Sequence, residues 1–175
     1  QLVFSKEVHV EGGDVTVHNE YIYVGISTRP DYEKLLTART NKAAVAALQQ
    51  AFPNKKVKAF ELNKSNTIPH KNALHLDCCF QPVGKSFALT CPEGFADMDA
   101  YNWLVAHFGD ANIFEVSALE MSQMMCNVVS ISPTVVLSNT SFVRLNTWLS
   151  KRGITVEEVD FDEIGKQGGL FRCVT

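Results

Sequence analysis

Four short segments place reactive side chains in unusual settings. Near the start, Val10-Glu11-Gly12-Gly13-Asp14-Val15 sets two carboxylates around a glycine pair. Glycines there let the backbone turn sharply or approach a ligand closely. In mid-chain, Leu74-His75-Leu76-Asp77-Cys78-Cys79-Phe80 places an imidazole and a carboxylate two residues apart in a stretch otherwise written for burial. Buried polar groups of this kind need partners. At the end, Gly168-Gly169-Leu170-Phe171-Arg172-Cys173 puts a thiol just past a glycine pair and beside a permanent cation. A cation favours the thiolate, the nucleophilic form, and thiolate attack needs an acid or base such as His75 to move protons. The fourth segment, Gly25-Ile26-Ser27-Thr28-Arg29-Pro30, carries an arginine that could grip a carboxylate through two parallel hydrogen bonds.

Each segment alone has a structural counterpart. An acidic glycine turn is a common connector, and a core histidine is readily satisfied by a nearby aspartate. A strand-borne cysteine is usually packing, and a loop arginine is usually solvated. His75 and Asp77 would also suit two metal ligands, but the sequence offers no clear third and fourth, and no CxxC pair for structural zinc.

The elements that must position these groups recur. Two short strands, a helix and a third strand make a unit, repeated at roughly 50 to 60 residues. The first unit has strands over 14–18 and 21–26, an Ala-rich helix over 41–52 ended by Pro53-Asn54, and a strand over 57–62. The second has strands over 73–80 and 86–90, a helix over 98–108 closed by Gly109, and a strand over 112–116. Alternation along 73–80 puts His75, Asp77 and Cys79 on one face. The third has strands over 127–132 and 135–138, a helix over 141–152 closed by Gly153, and a strand over 154–159. A last strand is expected over 170–174. One small sheet and one helix cannot bury both faces alone. Closing the units around an axis would solve that and gather the first-strand ends at a central site. An ordinary α/β sandwich is the alternative.

Composition narrows the function. The chain has 175 residues, 46% hydrophobic and 20% charged, with net charge −3. That suits one domain with one sizeable core and gives no pull toward nucleic acid or anionic membrane. No apolar stretch approaches the roughly 20 residues of a membrane span. The odd count of five cysteines, two of them adjacent, argues for reduced thiols and a cytoplasmic setting. The chain opens on Gln1 rather than methionine and stops inside the expected last strand, so it is expected to be part of a longer protein.

Taken in order, Glu-Gly-Gly-Asp, Gly-Ile-Ser-x-Arg, His-Leu-Asp and the ending Gly-Gly-x-x-x-Cys-x-Thr resemble the guanidino-group-modifying (pentein) superfamily. This superfamily comprises arginine deiminases, dimethylarginine dimethylaminohydrolases and amidinotransferases. The stretch from Asn127 to Pro133 also resembles the one preceding the nucleophile region of arginine deiminases. The resemblance implies an α/β-propeller of five ββαβ units. Residues 1–175 would be the C-terminal portion of that single catalytic domain, about three units, lacking the N-terminal ones. It implies Cys173 as nucleophile, His75 as general acid/base, and Glu11 as the carboxylate that orients the histidine. Asp77, Arg29, Asp14 and Asn127 would contact the substrate, Asp77 on its guanidinium and Arg29 on its α-carboxylate. The implied reaction is hydrolysis at the guanidinium carbon of arginine or a derivative through an amidino-thioether, with no metal and no organic cofactor. An amidinotransferase using the same site and a non-catalytic binding protein of the same fold are the alternatives. The implied partners are a small guanidino substrate and the N-terminal remainder of the same protein, with an oligomer possible. The register between glycines and cysteine is longer than the usual Gly-Gly-x-x-Cys of arginine deiminases.

Overall fold

The structure, a computed structural model, describes residues 4–36 and 39–175. Gln1, at which the chain opens, lies outside the described residues. Strand β1 (Val15–His18) turns at Asn19 and Glu20 into β2 (Tyr21–Ile26). Asn19 takes φ 50, a left-handed conformation that its short polar side chain tolerates. Helix α1 (Lys42–Ala51) starts where the Asn41 side chain accepts from Ala44 N–H, and it buries Ala44 and Leu48. Strand β3 (Lys56–Glu61) then returns parallel to β2.

A single helical turn, α2 (Leu76–Cys79), precedes the second unit of β4 (Phe80–Val83), β5 (Phe87–Thr90), α3 (Met98–Phe108) and β6 (Ile113–Glu115). Helix α3 has the bounds its sequence predicts, because Asp97 accepts from Asp99 and Ala100 N–H at its start and Gly109 closes it. A short α4 (Ala118–Ser122) opens on a Ser117/Glu120 capping box. The third unit is β7 (Val129–Ser132), β8 (Val135–Asn139), α5 (Val143–Ser150) and β9 (Thr155–Val159). The short helical turns α6 (Asp162–Gly165) and α7 (Phe171–Val174) follow.

The strands form three separate three-stranded sheets, β1-β2-β3, β4-β5-β6 and β7-β8-β9. In each, the first two strands are antiparallel and the third is parallel to the second, so the ββαβ repeat is real. One core joins them, running from Tyr23 and Phe60 through Phe80, Leu89 and Leu104 to Leu145 and Leu149. Tyr23 lies edge-on to Phe80 at 5.1 Å, tying the first sheet to the second.

Two expectations fail, and for one reason. Residues 73–80 are not a strand: Leu76–Cys79 is helical, and strand structure begins only at Phe80. The proposed shared face of His75, Asp77 and Cys79 falls with it. Residues 170–174 are likewise not a strand but end in the turn Phe171–Val174. At each place a buried side chain from an earlier unit captures a backbone N–H at the start of the turn. Asp14 Oδ1 accepts from Leu76 N at 3.0 Å, and Asn127 Oδ1 accepts from Arg172 N at 2.8 Å. A tertiary hydrogen bond of this kind overrides a local apolar pattern that reads equally well as strand. Among the described residues, no helix is long and apolar enough to cross a membrane.

Candidate active site

Glu11, Asp14, His75, Asp77 and Asn127 all lie on segments that lead into the first strand of a unit. His75 Nε2 and Glu11 Oε2 are 2.7 Å apart, across 64 residues of chain. A carboxylate accepts, so Nε2–H is the donor in this contact. Arg39 Nη1 approaches the other Glu11 oxygen at 3.3 Å. Both side chains of that ion pair are more than two-fifths exposed, so it contributes little to stability. Gly13 packs flat against the imidazole: a Cβ there would stand 2.7 Å from His75 Cγ and Nδ1. Any side chain at residue 13 would therefore push the ring away from Glu11.

Asp14 is 1% exposed and both of its oxygens are occupied, Oδ1 by Leu76 N–H and Oδ2 by Thr40 Oγ1 at 2.7 Å. Burial pushes its carboxyl above the ordinary aspartate value, opposed first by the neighbouring Lys64 and then by Thr40. Lys64 is also buried and donates to Leu74 O at 2.7 Å. Burial pushes its ammonium down, while Asp14 pulls it back up.

Cys173 is the exposed thiol, whereas Cys78, Cys79, Cys91 and Cys126 are buried. Burial raises the pKa of all four, that of Cys91 to about 12, and keeps them as inert thiols. Asn127 Nδ2 donates to Cys173 Sγ at 3.5 Å while its oxygen holds Arg172 N–H. Gly169 lies close to the thiol, where a Cβ would come within 3.1 Å of Cys173 Cβ. Asp77 is 1% exposed. Burial raises its carboxyl, and His75 and then Arg172, the neighbour of Cys173, pull it down. Cys78 donates weakly to Asp77 Oδ1 at 3.6 Å.

The sequence-predicted residues therefore fall into four groups. Glu11 and His75 are in contact. Asp77 is within electrostatic reach of His75 and of Arg172, and Asn127 is bonded to the thiol-bearing turn. Asp14 is adjacent but wholly engaged by the chain. Arg29 stands apart: its guanidinium forks onto Asp31 at 2.9 and 2.8 Å and also donates to Lys64 O at 3.1 Å. Among the described residues, its bond toward the site is the one to the main chain of Lys64. Arg39, Thr40 and Lys64 escaped the sequence reading. They are single residues of common type with no motif around them, and only folding gives them partners. Among the described residues, no group of three or more His, Cys, Asp and Glu side chains could hold a metal ion.

Comparison with known proteins shows the family and the fold. The chain is 32% identical over 169 residues to the uncharacterized protein YkgA of Bacillus subtilis strain 168, a match covering 97% of this chain and 52% of that one. The chain thus spans about half the length of that curated relative. A variant of the N-terminal domain of ArgZ, an arginine dihydrolase from cyanobacteria, has been solved covalently bound to a reaction intermediate. It superposes with a TM-score of 0.79 at 20% identity, covering 98% of this chain and 57% of that one. A mutant of the Pseudomonas aeruginosa dimethylarginine dimethylaminohydrolase, complexed with citrulline, superposes with a TM-score of 0.67 at 20% identity, covering 94% and 54%. The three ββαβ units thus share the fold of these guanidino-group-modifying enzymes. A family model described as N,N dimethylarginine dimethylhydrolase, eukaryotic, matches residues 4–175, and the chain belongs to that family.

Proposed function

We propose that this chain carries the proton-transfer and nucleophilic groups of a hydrolase acting at the guanidinium carbon of arginine or an arginine derivative. The observation that carries the reading is the 2.7 Å contact between His75 Nε2 and Glu11 Oε2, made between two units of the repeat. That carboxylate fixes the tautomer and direction of an imidazole, as an acid–base catalyst requires. Residues outside this chain would complete the propeller and the guanidinium clamp, with these three units as its C-terminal portion.

The Cys173 thiolate attacks the guanidinium carbon, and its sulfur–carbon bond forms as the C=N electron pair moves onto nitrogen. The imidazolium of His75 gives its proton to the departing amine, the C–N bond breaks, and an amidino-thioether remains. His75, now neutral, takes a proton from water as the water oxygen attacks the same carbon. The sulfur leaves as thiolate, the hydroxyl proton of the adduct passes to solvent and on to the released amine, and a ureido product is released. Asp77 supplies negative charge for the guanidinium, Asn127 holds the thiol-bearing turn, and Arg29 would take the substrate carboxylate by exchanging it for Asp31. A covalent intermediate in the ArgZ variant and citrulline, a ureido compound, in the Pseudomonas aeruginosa complex support this reading. The five free cysteines accord with a reducing, cytoplasmic setting.

The test is turnover by the intact protein of arginine, its N-methyl and N,N-dimethyl derivatives, agmatine and citrulline, with and without glycine as acceptor. Release of ammonia or a methylamine with a ureido product is expected, abolished in Cys173→Ser. Turnover retained in that variant refutes the nucleophile. Transfer to glycine outpacing hydrolysis would make the protein an amidinotransferase.

A further inference from the structure

His75 is bracketed by two main-chain anchors. On its N-terminal side, Leu74 C=O accepts from the Lys64 ammonium at 2.7 Å. On its C-terminal side, Leu76 N–H donates to Asp14 Oδ1 at 3.0 Å. The two anchoring side chains carry opposite charge, are almost wholly buried, and attract one another. The network does not stop there. Thr40 Oγ1 donates to Asp14 Oδ2 at 2.7 Å and accepts from Glu11 N–H at 3.1 Å. One buried set of bonds therefore holds the main chain on both sides of the imidazole and the main chain of the carboxylate it meets.

We infer that Lys64, Asp14 and Thr40 are positioning residues that set the geometry of the His75–Glu11 pair. None of them is a substrate contact. The inference rests on the proposed role of His75 in proton transfer, which needs the ring aimed within a fraction of an ångström. Charge on both anchors makes their hydrogen bonds stronger than neutral ones. It also makes them costly to break singly, because the survivor is then buried without its partner.

The test compares Lys64→Met, Asp14→Asn and the double variant in the intact protein. It reads melting temperature, kcat and KM, and the proton resonance of the His75 Nε2–H hydrogen bond to Glu11. Lys64→Met should lose stability, lower kcat about 10- to 100-fold with KM held within about twofold, and lose the hydrogen-bonded resonance. The double variant removes both buried charges and should regain most of the melting temperature, yet kcat should stay low and the resonance absent. Recovery of kcat and resonance together with stability would reduce the pair to a structural role and overturn the inference. Retention of the resonance in Lys64→Met would overturn it as well. The resonance needs no substrate, so a wild-type protein without turnover would sink the proposed reaction and leave this inference still judged.

Discussion

At Leu76 a helical turn begins with its first N–H held by Asp14, and at Arg172 another begins with its N–H held by Asn127. The first turn carries the residues beside His75, and the second carries Cys173. Their surroundings differ. Leu76 to Cys79 are all buried, and the anchor Asp14 is charged and supported by Thr40 and Lys64. In the second turn Phe171 is buried, but Cys173, Val174 and Thr175 are exposed. Asn127 is neutral and holds both the Arg172 N–H and the thiol. On the proposed reading of the site, the half around His75 is locked by buried bonds, and the half around Cys173 is held through Asn127. A base must be aimed before substrate arrives. A nucleophile that forms and releases a covalent bond gains from a support that yields.

Breaking the locked half should have the larger effect. Glu11→Gln keeps the shape but removes the charge that holds Nε2–H, and kcat should fall on the order of 10²-fold with the fold intact, read by steady-state kinetics and circular dichroism. Asn127→Ala should lower kcat only about tenfold. It should also cost about 1–3 kcal/mol of stability, because Arg172 N–H loses its acceptor, and should change the rate at which iodoacetamide labels Cys173. An Asn127→Ala variant hit harder than Glu11→Gln would reverse the comparison and make the thiol turn the preorganised half.

The smallest effect sharpens the picture of Asp77, which is within electrostatic reach of both His75 and Arg172. Its carboxyl is raised above the ordinary aspartate value mainly by burial. Above that raised value it is ionised in both states, and burying the charge costs folding free energy. As pH falls through the raised value toward the ordinary one near 3.9, the folded state takes up the proton first and the cost disappears. Asp77→Asn should therefore melt higher than the wild type at neutral pH, with the gain shrinking to nothing as pH approaches about 4. A gain that grows on acidification would mean that Asp77 is held by charge pairing and not strained by burial.

Much of this was legible in the residues. The repeat emerged from alternating short strands and capped helices, with α3 recovered to the residue because Asp97 and Gly109 mark its ends locally. The pairing of Glu11 with His75 was legible only through the ordered motifs, since 64 residues separate them. The two helical turns were illegible because their cause lies elsewhere in the chain, in Asp14 and Asn127, which nothing in 73–80 or 170–174 announces. Lys64 and Thr40 were invisible for the same reason: their importance is a matter of what they touch once buried. The reading of Asp14 as a substrate contact followed its place in the Glu-Gly-Gly-Asp motif. Its burial and its two occupied oxygens are what motivate the inference that it is a support.

The most direct test of the shared site is covalent. Intact wild-type protein, mixed with arginine or a methylated arginine and quenched in acid during turnover, should show an amidino adduct, located by peptide mass spectrometry on the segment containing Cys173. An adduct on Cys78 or another of the buried thiols, or none under conditions where the wild type turns over, would contradict the account.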